Sequence, residues 1–342
     1  MTASSLAPVL IVGGSGIVGR HVARALRRLH PELPLAIGGR DPAKAAAAAA
    51  ELGTAVSVRI DLDRADLGLD PAERYSAVVT MLKDEGLNTL KYALHHRLPY
   101  LSTSNGSFEM APEVALHLRH PGRSPILLAS HWLAGAATLP ALHYAREFEQ
   151  VERIEITAVL DELDMGGPAA AADYERLTSA AAAQILERGR WRWVRGAEAE
   201  RRVVSVDGTP LPASAYSPMD VVSLAAATDA DSVRLDLALA ETASRRRGEA
   251  YSTEIALDLY GRDSHGAPAH RRYELVHPQG QAPLTGLGIA LGVERLLGLS
   301  GGAAPAPGLY TPDLLLDPAQ WLQRYREFGG QEREVATQAI AA

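Results

Sequence analysis

Hydrophobic residues in this chain follow two rhythms. Through the first 130 residues, short apolar runs alternate with stretches whose apolar positions recur every three or four residues. Val9–Val12 is such a run. A short apolar segment bounded by turn formers marks a strand buried on both faces. Residues 20–29 then place Val22, Ala23, Leu26 and Leu29 at helical spacing. The alternation continues: strands over 33–39, 56–62, 75–82, 98–101 and 124–129, and helices over the alanine-rich 42–50 and over 87–96. Strands alternating with helices predict a parallel, doubly wound α/β sheet. From about residue 151 the rhythm changes. A strand over 151–160 and a helix over 170–188 lead into strands over 191–194, 202–206, 232–240, 251–260 and 271–277. Consecutive strands separated by turns predict a second, mainly antiparallel sheet of an α+β domain. Residues 301–308 read as a loop, and the polar tail from Gln331 as a frayed helix.

The first strand runs directly into Gly13-x-x-Gly16-x-x-Gly19, and a helix follows. In that context the glycines form a dinucleotide-binding fingerprint. Gly13 permits a sharp turn, Gly16 lets backbone approach a pyrophosphate, and Gly19 lets the helix lie close to the strand. Free N–H groups of Ser15, Gly16 and Ile17 at the helix start then face the phosphates. The second strand ends in Gly38-Gly39-Arg40 rather than in an acid. A guanidinium suits a 2′-phosphate, and Lys44 supplies a second cation, so the expected cofactor is NADP (NADPH), with NAD the less favoured alternative. Asp41 reads as the cap of the next helix, with Pro42 at its first position. Asp61 and Thr80, at the ends of the third and fourth strands, complete the expected cofactor set.

A length of 342 residues favours two domains. The net charge of −7 offers no footprint for nucleic acid or an anionic membrane. The absence of cysteine excludes disulfides, thiolate metal sites and a cysteine nucleophile. No apolar run has the length of a membrane span, and no signal peptide is evident, so the expected compartment is the cytoplasm. No metal site is expected; His95 and His96 are adjacent and cannot share a helix face.

The Gly13–Gly19 turn, the Gly-Gly-Arg40 strand end and the C-terminal run Tyr273-Glu-Leu-Val-His-Pro-Gln-Gly280, followed by Pro283-Leu-Thr285 and Pro307-Gly-Leu-Tyr-Thr-Pro312, together resemble the saccharopine dehydrogenase-like reductases. The resemblance implies a split Rossmann domain from 1–132 plus 283–342. It also implies an inserted α+β domain over 133–282 that carries part of the substrate site and the surface of a homodimer. It implies hydride transfer between NAD(P) and a carbon–nitrogen bond of a small molecule. Two loops depart from the family pattern, 82–86 and 130–135, which points to a specialised substrate.

Hydride chemistry requires the protein to orient the nicotinamide and manage one proton. Lys83 and Asp84 follow the fourth strand, and His131 follows the sixth; these are the candidate proton-handling groups. Ser104, Asn105 and Trp132 are candidate substrate contacts, and Asp161 is a candidate partner for an amine. Two alternatives stand beside imine reduction. One is an NADPH-binding sensor without turnover. The other is a reductase of C=O or C=C bonds, although the Tyr-x-x-x-Lys pair of short-chain enzymes is absent.

Overall fold

The structure, a computed structural model, describes residues 6–164, 166–179 and 182–336. The chain divides into two units: the described residues up to Ser130 with Thr285–Leu316, and His131–Leu284 with the residues from Asp317 onward. The first unit opens with β1 (Val9–Val12), α1 (Ile17–Leu29), β2 (Leu35–Gly39), α2 (Pro42–Ala50) and β3 (Ala55–Arg59). It continues with β4 (Ala77–Thr80), α3 (Asn88–His96), β5 (Tyr100–Ser102), α4 (Ala111–Arg119) and β6 (Pro125–Leu128). The second unit holds α5 (Thr138–Ala145), β7 (Gln150–Leu160), α6 (Pro168–Ser179), β8 (Ala183–Glu187), β9 (Arg190–Val194), β10 (Glu200–Val204) and β11 (Pro210–Ala215). Then come α7 (Asp220–Ala227), β12 (Ser232–Leu239), α8 (Ala243–Arg246), β13 (Thr253–Arg262) and β14 (Pro268–His277). Helix α9 (Gln281–Leu296) returns the chain to the first unit, which adds β15 (Gly308–Tyr310) and α10 (Pro312–Leu315). Helix α11 (Pro318–Glu327) and β16 (Gln331–Val335) belong to the second.

The first sheet has the order β15-β6-β5-β4-β1-β2-β3, with every pairing parallel. All residues of β1, β4 and β6 are buried, as sheets covered on both faces require. The order reverses at β1 and β4, so the crevice outside their carboxyl ends is the place for a ligand. This is the doubly wound α/β architecture that the apolar rhythm predicts.

The second sheet runs β10-β11-β12-β7-β13-β14-β16, with the β8–β9 hairpin beside β12. It is mainly antiparallel, but β12 lies parallel to β7 along its whole length. Three expectations need correction here. The helix expected over 170–188 ends at Ser179, and 183–187 is a strand paired with β9 and β12. The tail is a strand at 331–335, pairing with β14, where a helix was expected; residues 337–342 lie outside the described set. The segment from Asp317, expected with the nucleotide domain, belongs to the second unit, because β16 extends that sheet and α11 packs on α5. Helices α5 and α7 and strand β11 had no counterpart in the sequence reading.

Candidate functional site

Buried β1 delivers the chain to Gly13, whose φ of 85° is a left-handed conformation suited to glycine. A Cβ on Gly19 would collide with the Gly13 carbonyl oxygen and with the backbone of Gly14. Only glycine there lets α1 sit this close to the turn. Helix α1 starts after Gly16 without a side-chain cap, and Gly16 and Ile17 are exposed, Ile17 at 47%. Its first N–H groups and the positive end of its dipole therefore open outward, where an anion is favoured.

The second strand contributes the neighbouring wall. Ser15 Oγ lies close to Gly39, 3.1 Å from the point a Cβ would occupy. Arg40 is exposed and has no ion-pair or hydrogen-bond partner among the described residues. Asp41 caps α2, accepting from the N–H groups of Ala43 (3.0 Å) and Lys44 (3.2 Å), with Pro42 at the first helical position. Lys44 is solvent-exposed, its Nζ 4.0 Å from Asp41. Asp61 accepts from the Asp63 N–H within its own loop. Thr80, the last residue of β4, is buried, so its hydroxyl is not presented to the crevice. Beyond it, Leu82 packs against Gly13.

The residues after β4 and β5 come together. Lys83 Nζ donates to Asn105 Oδ1 at 2.7 Å and pairs with Glu109 at 3.2 Å. Asn105 in turn donates to Glu113 Oε2 at 2.7 Å, and Ser102 Oγ donates to the other carboxylate oxygen at 2.9 Å. Glu113 is 1% exposed. Burial pushes its pKa up, against the hydrogen bonds of Ser102 and Asn105, which pull it down. The sequence reading missed Glu109 and Glu113. An acid on the inward face of α4 is the signal that marks Glu113, because a carboxylate is buried only when it is bonded. Asp84 is spent differently: it accepts the N–H and hydroxyl of Thr89 (2.7 and 2.8 Å) at the start of α3. Ser104 is buried beside Asn105.

In the second unit His131 is 5% exposed, its Nε2 2.8 Å from Ser223 Oγ. Asp220, fully buried on α7, accepts from the Trp132 N–H (2.5 Å) and the Thr138 hydroxyl (2.6 Å). Burial pushes its pKa up, while His131 and these bonds pull it down. The expected amine partner Asp161 is absorbed by the fold. Its buried carboxylate accepts from Leu163 and Thr242 and pairs with Arg245 at 2.9 Å. Burial raises its pKa, but these bonds and the arginine outweigh it and hold the carboxyl below its ordinary value. Among the described residues, no group of three His, Cys, Asp or Glu is placed to hold a metal ion.

No protein-family model and no curated protein sequence matches the chain. Solved structures do. The chain is similar to saccharopine dehydrogenase (L-Glu forming) from Saccharomyces cerevisiae, with a TM-score of 0.69 at 13% identity, over 96% of this chain and 100% of that one. A myo-inositol 2-dehydrogenase from Lactobacillus plantarum aligns with a TM-score of 0.48 at 12% identity, over 97% and 99% of the two chains. The first likeness establishes the fold: this chain has the two-domain architecture of saccharopine dehydrogenase, as the sequence resemblance implies.

Proposed function

We propose that this chain is an NADPH-dependent oxidoreductase delivering hydride to the carbon–nitrogen double bond of a small molecule. One observation carries the reading: an uncapped, exposed helix start at Gly16 stands beside a strand whose end presents an unpartnered Arg40. The N–H groups of Ser15 and Ile17 would hold the diphosphate, the Gly16 N–H being already donated to the Gly13 carbonyl oxygen at 3.0 Å, and Arg40 and Lys44 would hold the 2′-phosphate. Asp41, the acid best placed for the ribose hydroxyls of NAD, already caps α2. NADPH, when bound, supplies the hydride. Lys83 then holds the proton for the substrate nitrogen, kept in place by Asn105 and Glu109, while Glu113 fixes the Asn105 amide. The resemblance to saccharopine dehydrogenase-like reductases supports the carbon–nitrogen bond as the target. His131, bonded to Ser223 and buried, serves in this reading to set the turn that carries Trp132.

Titration with NADPH and NADH, repeated on Arg40→Ala, tests the cofactor. A bidentate guanidinium–phosphate contact is a strong, charge-assisted one, so the variant should lose about tenfold or more in NADPH affinity with NADH affinity little changed. Tighter binding of NADH by the wild type overturns the assignment. A panel of amines with 2-oxo acids, followed by NADPH consumption, tests the reaction; turnover of a plain ketone with none of the pairs active rejects it. We further propose a homodimer in the cytoplasm. Sedimentation equilibrium of the full chain tests the dimer, and a monomer at all concentrations contradicts it. Among the described residues no helix is long and apolar enough to cross a membrane.

A further inference from the structure

The second unit contains a groove of about 740 Å³ between α6 and the β10–β11–β12 end of its sheet. Strand register fixes one wall. Glu200 lies opposite Ser214, Arg202 opposite Pro212, and Ser214 opposite Leu237, so these side chains share one face of the sheet. Leu239 continues that face and keeps 40% of its surface exposed. Helix α6 supplies Tyr174 and Leu177 to the lining, and no residue of this helix is buried. Tyr216 lines the groove too, and its ring meets Trp132 edge-on at 5.9 Å. The Trp132 indole N–H is buried and has no hydrogen-bond partner among the described residues.

The charged residues on and around this wall fall into a paired and an unpaired set. Arg201 is neutralised by Asp236 and Glu155, Arg234 by Asp236, Arg192 by Glu187 and Arg246 by Asp207. Glu200 and Arg202 are both exposed, and neither has an ion-pair or hydrogen-bond partner among the described residues. They are alternate residues of one strand, so their backbones stand roughly 6.6 Å apart. A carboxylate and a guanidinium on neighbouring side chains of one sheet face, beside apolar walls, complement a molecule that carries both charges on an apolar body. A volume of about 740 Å³ falls within the range of ligand-sized pockets and exceeds what one amino acid fills. The termini of an extended dipeptide are separated by about the same two-residue rise.

We infer that this groove binds a zwitterion of dipeptide size, its ammonium at Glu200, its carboxylate at Arg202 and its apolar side chains against Leu177, Leu237 and Leu239. This goes beyond the nucleotide reading and does not depend on it. Calorimetric titration of the nucleotide-free full chain tests it, with L-leucyl-L-phenylalanine, its N-acetyl derivative, its C-terminal amide and free L-phenylalanine as probes. The dipeptide should bind at least tenfold more tightly than each of the other three. Glu200→Gln should reduce it to the level of the acetylated form, and Arg202→Gln to the level of the amide. Ser214→Trp, or Leu239→Asp where the first does not fold, should abolish binding; thermal unfolding reports the folding of each. No binding of the dipeptide, equal affinity for the blocked forms or for free phenylalanine, or unchanged binding in the groove-filling variant overturns the proposal. Failure of NADPH binding leaves these results as they stand.

Discussion

Gly16 and Gly19 are three residues apart and carry different burdens. A methyl group on Gly19 would collide with the Gly13 carbonyl oxygen and the backbone of Gly14, whereas on Gly16 it meets only the Gly13 oxygen, at 3.2 Å. Gly19→Ala should therefore cost roughly 1–3 kcal/mol in stability by overpacking. Gly16→Ala should cost at most about 1 kcal/mol as a poorer helix cap, yet lower NADPH affinity. Denaturant unfolding alongside nucleotide titration separates the two, and an equal loss of stability in both would contradict this division. Asp164 supplies a pH-dependent case. Burial pushes its pKa up to about 6, with Asp161 adding to the rise and the Gln281 N–H opposing it. A carboxyl raised in the folded state binds more protons there than when unfolded, so stability falls as pH climbs from about 4 to 6 and stays reduced above. Asp164→Asn should then raise the Tm at pH 8, with the gain shrinking by pH 5; a pH-independent difference would contradict it. Single residues are also where the sequence is least legible. Asp84 and Asp161 stand at strand ends, as a site residue would. Thr89 claims the first; Thr242 and Arg245, more than 80 positions along the chain, claim the second. Position can be read from a sequence, but distant partners cannot.

Elements with an internal rhythm were legible, and elements made by pairing were not. The buried strands of the first sheet announce themselves as apolar runs, and α2 by its Asp41-Pro42 start. Asp41→Ala should cost about 1 kcal/mol, since two N–H groups lose their acceptor. Thermal denaturation measures this, and an unchanged Tm would mean that water replaces the cap without loss. The second unit shows its long strands in the sequence, β7, β12, β13 and β14 among them, but hides others. Strand β16 reads Gln-Glu-Arg-Glu-Val and lacks an apolar face; its hydrogen bonds to β14 make it a strand. Strand β8 follows an alanine run that favours helix, and tertiary pairing with β12 and β9 overrides the propensity. Strand β11 carries two prolines, which mask a sheet position at the level of sequence.

At the scale of the molecule, each unit carries its own chemistry. The glycine turn, Arg40 and the Lys83–Asn105–Glu113 chain stand at the carboxyl ends of the parallel strands in the first unit. The Asp220 contacts and the groove with Glu200 and Arg202 belong to the second. A chain that leaves the first unit after Ser130 and re-enters through α9 to add β15 cannot be read from hydrophobic rhythm, because local periodicity carries no information about which sheet a strand joins. The family resemblance implies such an insertion, over 133–282. The central claim is that a pyridine nucleotide docks its phosphates on the start of α1 and on Arg40. Hydrogen–deuterium exchange of the full chain with saturating NADPH tests it most directly. The account predicts slowed exchange over residues 13–19 and 38–44; unchanged exchange in both segments, with NADPH bound, would contradict it.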